Sequence, residues 1–371
     1  MRKIFKKIHL WLSVPVGLIL SVICLTGAAL VFENELTEKI DSHLYKVEYK
    51  EGMVAIQPSL LVDHIARQTG DTLELSSLQI AGEPDKAWIA SFKNAGRKTL
   101  SINPYTGETN GWIKGNAFFQ TMRKLHRWLL DPPPQKGAKS TGKVIVGVST
   151  LLMGIILITG LFIWIPRSRK AMKNRLQVSC TKGWRRFWYD SHVSLGFYAT
   201  VFLLIMVLTG LTWSFQWYRS GFYALFGAST QPTEQPAGPQ HREEGNREKK
   251  SKKKFDYTAW DKAAAELQRR YTTYNKIVLN KTNAQILQKG QRKGDTASFD
   301  PETGEIKEVK VYKADEIPVA MKMKGFIYSL HTGLWGGMTT RILYFLASLI
   351  GGILPLTGYY LWIKRAFRKK K

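Results

Sequence analysis

The sequence predicts an α-helical membrane protein: a four-helix transmembrane bundle, built from an internal duplication, that carries two exported α+β modules. Three observations lead there. Four apolar runs, each free of Asp, Glu, Lys and Arg, interrupt a chain of 371 residues. Basic residues gather beside those runs rather than on a separate domain. Short motifs recur at matching places in the two halves.

The runs cover residues 10–32, 144–165, 193–217 and 342–363. At ~1.5 Å per residue each reaches across a hydrocarbon layer ~30 Å thick. The first follows MRKIFKK and so starts like a signal peptide. Its apolar part is longer than the roughly 7–15 residues of a cleavable segment, and no clear small-x-small site precedes Glu33. It is read as an uncleaved anchor.

The net charge of +27 raises nucleic acid as a partner, but its distribution argues against one. The clusters MRKIFKK, PRSRKAMKNRLQVSCTKGWRR and KRAFRKKK flank membrane runs, where the positive-inside rule puts them in the cytoplasm. With four alternating spans all three fall on one side, so both termini are expected to be cytoplasmic. A nucleic-acid surface would interleave basic residues with exposed aromatics on a soluble domain. A fourth basic cluster, HREEGNREKKSKKKF, falls on the other side and follows STQPTEQPAGPQ. Long loops escape the rule, and this composition reads as a disordered basic linker over 218–254.

The two cysteines, Cys24 in the first run and Cys180 in the cytoplasmic loop, form no exported pair. Neither a disulfide framework nor a cysteine-based iron–sulfur or zinc site is available. Metal chemistry would rest on histidine.

Each half follows one plan: span, exported module, histidine, span. SINPYTGETNG and SFDPETGEIKE, starting at Ser101 and Ser298, share Asn/Asp-Pro-x-Thr-Gly-Glu. That is a hairpin loop in which Asx and Pro open the turn and Gly closes it with a positive φ. SLLVDHIARQTG and YTAWDKAAAELQRRY are the candidate helices of the two modules. Every apolar run also carries Thr-Gly in its later part: Thr26-Gly27, Thr159-Gly160, Thr209-Gly210 and Thr357-Gly358. Small residues there serve either close helix packing or the approach of a flat ligand.

Four of the seven histidines accompany the four runs: KIHLWL (His9), KLHRWL (His126), DSHVSLG (His192) and SLHTGLW (His331). His9 precedes Gly27, and His192 precedes Gly210, by the same 18 positions. These two are expected at one depth, on the cytoplasmic edge. His126 and His331 are expected on the exported side, each in a short interfacial segment. Two facing imidazoles can hold a haem iron from both sides, as a b-type electron-transfer centre. The chain has no Cys-x-x-Cys-His for covalent attachment. Zinc normally takes further ligands, and a proton relay would favour acidic residues inside the spans. Tryptophans at run ends (Trp11, Trp128, Trp164, Trp213, Trp217, Trp335, Trp362) fit an interfacial belt. His43, His64 and His241 lie outside this frame.

With KIHLWLSVPVGLILSVICLTG at the start, LTGYYLWI near the end and the Asp-Pro-x-Thr-Gly-Glu hairpins, the chain resembles the PepSY-associated transmembrane proteins over nearly its whole length. The resemblance implies a division into 1–33 (first span), 34–125 (PepSY-like module), 126–165 (interfacial segment and second span) and 166–191 (basic loop). The rest divides into 192–217 (third span), 218–254 (linker), 255–324 (second module) and 325–371 (interfacial segment, fourth span and basic tail). It further implies a bacterial inner-membrane reductase of ferric siderophores with two b-type haems, whose axial ligands would be His9, His126, His192 and His331. With no G-x-G-x-x-G after a strand, a quinol or a cytoplasmic reductase would be the electron donor. Pairing is expected between His9 and His192 and between His126 and His331. A non-redox, membrane-anchored binding or regulatory protein is the rival reading. A transporter is less apt, because the spans hold no charge for coupling.

Overall fold

The computed structural model describes residues 1–69, 73–96, 98–134, 140–228, 255–288, 294–313, 315 and 318–368. In chain order the first half forms α1 (Arg2–Leu30), α2 (Glu33–Ile40), α3 (Ser42–Tyr45) and α4 (Pro58–Thr69). Strands β1 (Leu75–Ala81), β2 (Trp88–Phe92), β3 (Thr99–Ile102) and β4 (Thr109–Ile113) follow, then α5 (Ala117–Trp128) and α6 (Thr141–Trp164). After α7 (Arg169–Arg175) come α8 (Trp184–Ser214), α9 (Gln216–Ala224) and α10 (Thr258–Arg270). The chain ends with β5 (Tyr274–Asn280), β6 (Asn283–Gln288), β7 (Asp295–Phe299), β8 (Ile306–Lys310), α11 (Val319–Thr332) and α12 (Gly337–Arg368). These elements divide into two units.

The membrane unit comprises Met1–Glu33, Ala117–Gly238 and Ile317–Lys371. Four of its helices, α1, α6, α8 and α12, are long and apolar enough to cross a bilayer. α1 packs on α6 and α12, and α8 packs on the same two, so the order around the bundle is α1–α6–α8–α12. Neighbours run antiparallel: Gly17 meets Tyr359 and Gly351 meets Cys24 across α1 and α12, while Gly147 meets Phe215 and Gly154 meets Val207 across α6 and α8. Val16, Leu20, Met153, Leu157, Leu203 and Val207 fill the centre. Leu18 and Val201 are each 63% exposed and turn outwards, as lipid-facing residues do. Pro15 removes one backbone donor from α1. Beside it, the Tyr359 hydroxyl donates to Val14 O at 2.6 Å and accepts from Leu18 N at 3.2 Å, standing in for a rung of the helix.

The helices overrun the expected boundaries. α8 begins at Trp184 rather than near 192, because the polar turn before the span is itself helical and tied by an Arg186–Asp190 pair at i,i+4. α5 starts at Ala117 and belongs to the membrane unit, where the sequence put residues up to 125 in the first module. α9 occupies the start of the stretch expected to be a linker. In each case a scan for long apolar runs finds the lipid-crossing part of a helix and misses amphipathic turns at its ends. Residues 229–254 of that linker, including His241, lie outside the described residues.

The sheet unit comprises Asn34–Asn116 and Pro239–Glu316. Its strands form one antiparallel eight-stranded sheet in the order β4-β3-β2-β1-β5-β6-β7-β8. The two expected modules are therefore halves of a single sheet, joined where β1 pairs with β5 from Ser77↔Asn280 to Ala81↔Lys276. Each four-stranded meander alone would expose an inner edge of unpaired backbone, and the pairing removes both edges. α4 and α10 pack together, and Leu61, Ile65, Trp260 and Leu267 enter one core with Leu78, Ile80, Ile277 and Leu279. Asp261 of α10 accepts from the Ser59 amide and hydroxyl at the start of α4. Both predicted hairpin loops are present. Asn103 and Asp300 accept from the amides two residues on, and Gly107 and Gly304 close the turns at φ +74° and +76°.

Candidate functional site

All four framed histidines lie in the membrane unit, and each is held through Nδ1 by a neighbouring helix. His9 on α1 directs Nδ1 to Ile156 O at 3.0 Å and Thr159 Oγ1 at 3.3 Å on α6. His126 on α5 directs Nδ1 to Ile23 O on α1 at 2.8 Å. His331 on α11 reaches Met206 O at 3.1 Å and Thr209 Oγ1 at 3.0 Å on α8. His192 on α8 reaches Thr357 Oγ1 on α12 at 2.7 Å. A carbonyl only accepts, so three of these imidazoles carry their proton on Nδ1. The Thr357 hydroxyl spends its own proton on Leu354 O at 2.8 Å, so it too must accept, and His192 is the same tautomer. Each Nε2 then presents a lone pair, which is the state that ligates a metal.

The recurring glycines make these contacts possible. A Cβ on Gly27 would lie 3.0 Å from His126 Cε1, and on Gly160 and Gly210 3.3 Å from the Cε1 atoms of His9 and His331. Gly358 faces His192 Cε1 at 3.5 Å. Each Thr-Gly pair is thus a seat for one imidazole: the glycine admits the ring, and the threonine caps the carbonyl three residues back. The sequence offered helix packing or a flat ligand for these glycines; the structure puts a histidine there. The equal 18-residue spacing links different seats, since Gly27 serves His126 rather than His9, and Gly210 serves His331 rather than His192.

The seats bring the histidines together in pairs. The His126 and His331 rings are 6.2 Å apart between centres, at 56°. Two metal–nitrogen bonds of about 2 Å in line, with about 1 Å from each ligating nitrogen to its ring centre, place ring centres about 6 Å apart. Trp213 stands edge-on to His331 at 5.1 Å. α5 ends at Leu129 and Leu130, both at positive φ, and α11 ends at a left-handed Gly333, so each of these histidines sits on its own short helix beside the bundle.

His9 and His192 line a shared cavity of about 870 Å³ at the other end of the bundle. That is within the roughly 300–1,000 Å³ of cofactor sites. Its depth is apolar (Val14, Leu20, Ile156, Leu157, Phe197, Leu354), while its mouth carries Arg2, Lys6, Arg175, Lys182, Arg185, Arg186 and Arg365. Arg2 and Arg175 cap the last carbonyls of α6, from Ile163 to Ile165. Arg186 pairs with buried Asp190. Among the described residues Lys6, Lys182, Arg185 and Arg365 make no ion pair, so the mouth retains free positive charge. An apolar slot with two imidazoles and a cationic rim suits a flat amphipathic macrocycle bearing carboxylates.

Among the described residues no three His, Cys, Asp or Glu side chains converge as a metal cage. Each pair offers two ligands, as a metal already held in a macrocycle requires. His43 and His64 belong to the sheet unit. Sequence reading missed Thr159, Thr209 and Thr357 as histidine partners, and Thr26 as the neighbour of the carbonyl that holds His126, although their fixed place before each glycine was the signal.

A membrane-spanning helix bundle with paired imidazoles, combined with a helix-backed antiparallel sheet, defines the class. Residues 6–365 match the family described as the PepSY-associated TM region. The chain belongs to that family. Comparison with curated proteins gives no match.

Proposed function

We propose that this protein is an inner-membrane electron-transfer protein with two b-type haems, which reduces ferric siderophores on the exported side so that iron is released as Fe(II). The observation that carries the reading is the set of four seats, each fixing an Nδ1–H imidazole, with one pair at 6.2 Å. His9 with His192, and His126 with His331, would supply the axial nitrogens. When bound, a haem supplies reversible one-electron Fe(III)/Fe(II) chemistry at a potential set by its ligands and surroundings.

The chain's own residues bind, orient and insulate. The seats hold each ring at one depth and one tautomer. Val14, Leu20, Ile156 and Leu157 exclude water from the cavity, and Lys6, Lys182, Arg185 and Arg365 provide charge for carboxylates at its mouth. We further infer that the two halves arose by duplication, since each supplies a helix and a four-stranded meander in the same order and one histidine to each pair. The basic end then faces the cytoplasm of a bacterial cell, with both termini there, and electrons enter from a quinol or a cytoplasmic reductase. One added electron turns a chelated Fe(III) into Fe(II), which hard oxygen ligands hold far less tightly.

The test is the spectrum of the purified full-length protein, followed by stopped-flow reoxidation with a ferric siderophore and a ferrous trap. Two b-type haems per chain are expected, and His→Ala at either member of a pair should remove one of them. A colourless protein, or histidine variants that lose both haems or neither, would overturn the reading and favour a binding or regulatory role for the sheet unit. Haems that stay reduced with several chemically different siderophores would remove the substrate while leaving the electron-transfer centre.

A further inference from the structure

We propose that Thr26 and Thr357 tune the two histidine sites in opposite directions, each acting as a positioning residue through the imidazole it serves; this rests on the haem reading above. A stronger hydrogen bond from Nδ1–H makes Nε2 a better donor, and a more basic axial ligand favours the oxidised metal. What matters is whether a threonine hydroxyl strengthens that bond or competes with it, and the four seats are not wired alike.

At His192 the connection runs chiefly in series, since the hydroxyl lies within hydrogen-bond distance of Nδ1 while the Leu354 carbonyl interacts with the ring only as a weaker, secondary acceptor. Nδ1–H donates to Thr357 Oγ1 at 2.7 Å, and the same hydroxyl donates onward to Leu354 O at 2.8 Å. Each bond in such a chain polarises the next, so the hydroxyl becomes a better acceptor because it also donates. At His126 the connection is in parallel. Nδ1–H donates to Ile23 O at 2.8 Å, and the Thr26 hydroxyl donates to that same carbonyl at 3.0 Å and to Val22 O at 2.6 Å. Here the hydroxyl draws on the carbonyl's lone pairs and weakens it as the acceptor for histidine.

Thr159 and Thr209 do both. The His9 and His331 Nδ1 atoms reach carbonyl and hydroxyl alike, while each hydroxyl also donates to the shared carbonyl, at 2.9 Å to Ile156 O and 3.1 Å to Met206 O. The two influences oppose, and little net change is expected on removing either hydroxyl. The direction of tuning at each site therefore follows from connectivity rather than from residue type.

The experiment is an optical redox titration of the full-length, haem-loaded protein carrying Thr357→Val, Thr26→Val or Thr→Ser at either position. Valine keeps the branched shape and loses the hydroxyl; serine keeps the hydroxyl. Thr357→Val should raise the midpoint potential of the site containing His192, and Thr26→Val should lower that of the site containing His126. Each shift should be roughly fivefold in the oxidised-to-reduced ratio at fixed potential, or about 40 mV for one electron. The serine variants should stay at the wild-type values. Electron paramagnetic resonance of the oxidised protein reads axial-ligand strength without titration, and its g-anisotropy should move in matching opposite senses. Two shifts of the same sign, or valine variants that match their serine controls, overturn the proposal while the haem reading stands. A wild-type protein without haem overturns both.

Discussion

Replacing Gly27 with alanine puts a methyl group where the His126 ring now lies. The new Cβ would be 3.0 Å from Cε1 and 3.3 Å from both Nδ1 and Ser348 Oγ, whereas ordinary contact begins at 3.4 Å. The ring must retreat by about 0.4 Å (3.4 − 3.0), against its 2.8 Å bond to Ile23 O. Overpacking of this kind costs about 1–3 kcal/mol. Alanine returns only about 0.5–1 kcal/mol by its better helix propensity, so the clash wins by about 1 kcal/mol. At Gly358 the balance reverses, because the nearest atom, His192 Cε1, is 3.5 Å away and nothing need move. Gly160 and Gly210, at 3.3 Å, fall between. The assay is thermal unfolding of the full-length protein together with the amount of the proposed haem that it retains. Gly27→Ala should lower Tm and weaken retention of the haem proposed at its site by about fivefold or more. Gly358→Ala should match or exceed wild type. Four variants that behave alike, or a Gly358→Ala worse than Gly27→Ala, would refute the idea that these glycines seat imidazoles.

Two further outcomes concern the sheet unit. Gly304→Ala forces a non-glycine residue to φ +76°, about 1–2 kcal/mol in itself, and drives its Cβ into the Ala259 carbonyl of α10. Gly107→Ala has a similar φ but meets only the His64 side chain, at 2.9 Å, which can swing aside. Gly304→Ala should therefore lower the Tm of the sheet unit within the full chain more, and equal losses would contradict the packing. Glu74 takes Lys93 at 2.6 Å and Lys281 at 2.8 Å, and the two ammonium groups pull its carboxyl from the usual 4.5 down to about 2. A depressed folded value stabilises above the unfolded one and loses that as pH falls through the folded one. The Tm gap between wild type and Glu74→Gln should thus be present above pH 4.5 and close by about pH 2. Asp300, likewise held near 2 by Lys307, is common to both proteins and cancels. A gap that persists at the acid end, or that ignores added salt, would count against the pair.

How far the sequence disclosed this structure depended on how local each cause is. The spans were legible because an uncharged run of bilayer length has few other uses. The turns at Asn103–Gly107 and Asp300–Gly304 were legible because Asx, Pro and Gly act within five residues. The β1–β5 junction was not: Ser77 and Asn280 lie far apart in sequence, and either strand reads the same as an edge or as a centre. α5 escaped because its apolar residues (Phe118, Phe119, Met122, Leu125) are spaced for one face and never form a run. The four histidines stood out by position, and depth-counting alone brought His126 to His331. Their seats did not, since Thr159 is 150 positions from His9 and Thr357 is 165 from His192.

The seats and the pairs divide the chain differently. His9 and His126 rest on α6 and α1, both in the first half; His192 and His331 rest on α12 and α8, both in the second. Each half thus orders its own imidazoles, while each pair takes one ring from either half. An imidazole N–H placed among apolar helices is costly unless bonded, so the seats stabilise the bundle whatever else binds. They satisfy only one nitrogen per ring. Among the described residues none of the four Nε2 atoms has a hydrogen-bond partner and none is sealed inside the protein, so each presents an open lone pair. Four open imidazole nitrogens, two at each end of the bundle, are a ligand set rather than a packing device. A metal bonded to Nε2 from both sides would satisfy two at a time and tie the first half of the chain to the second.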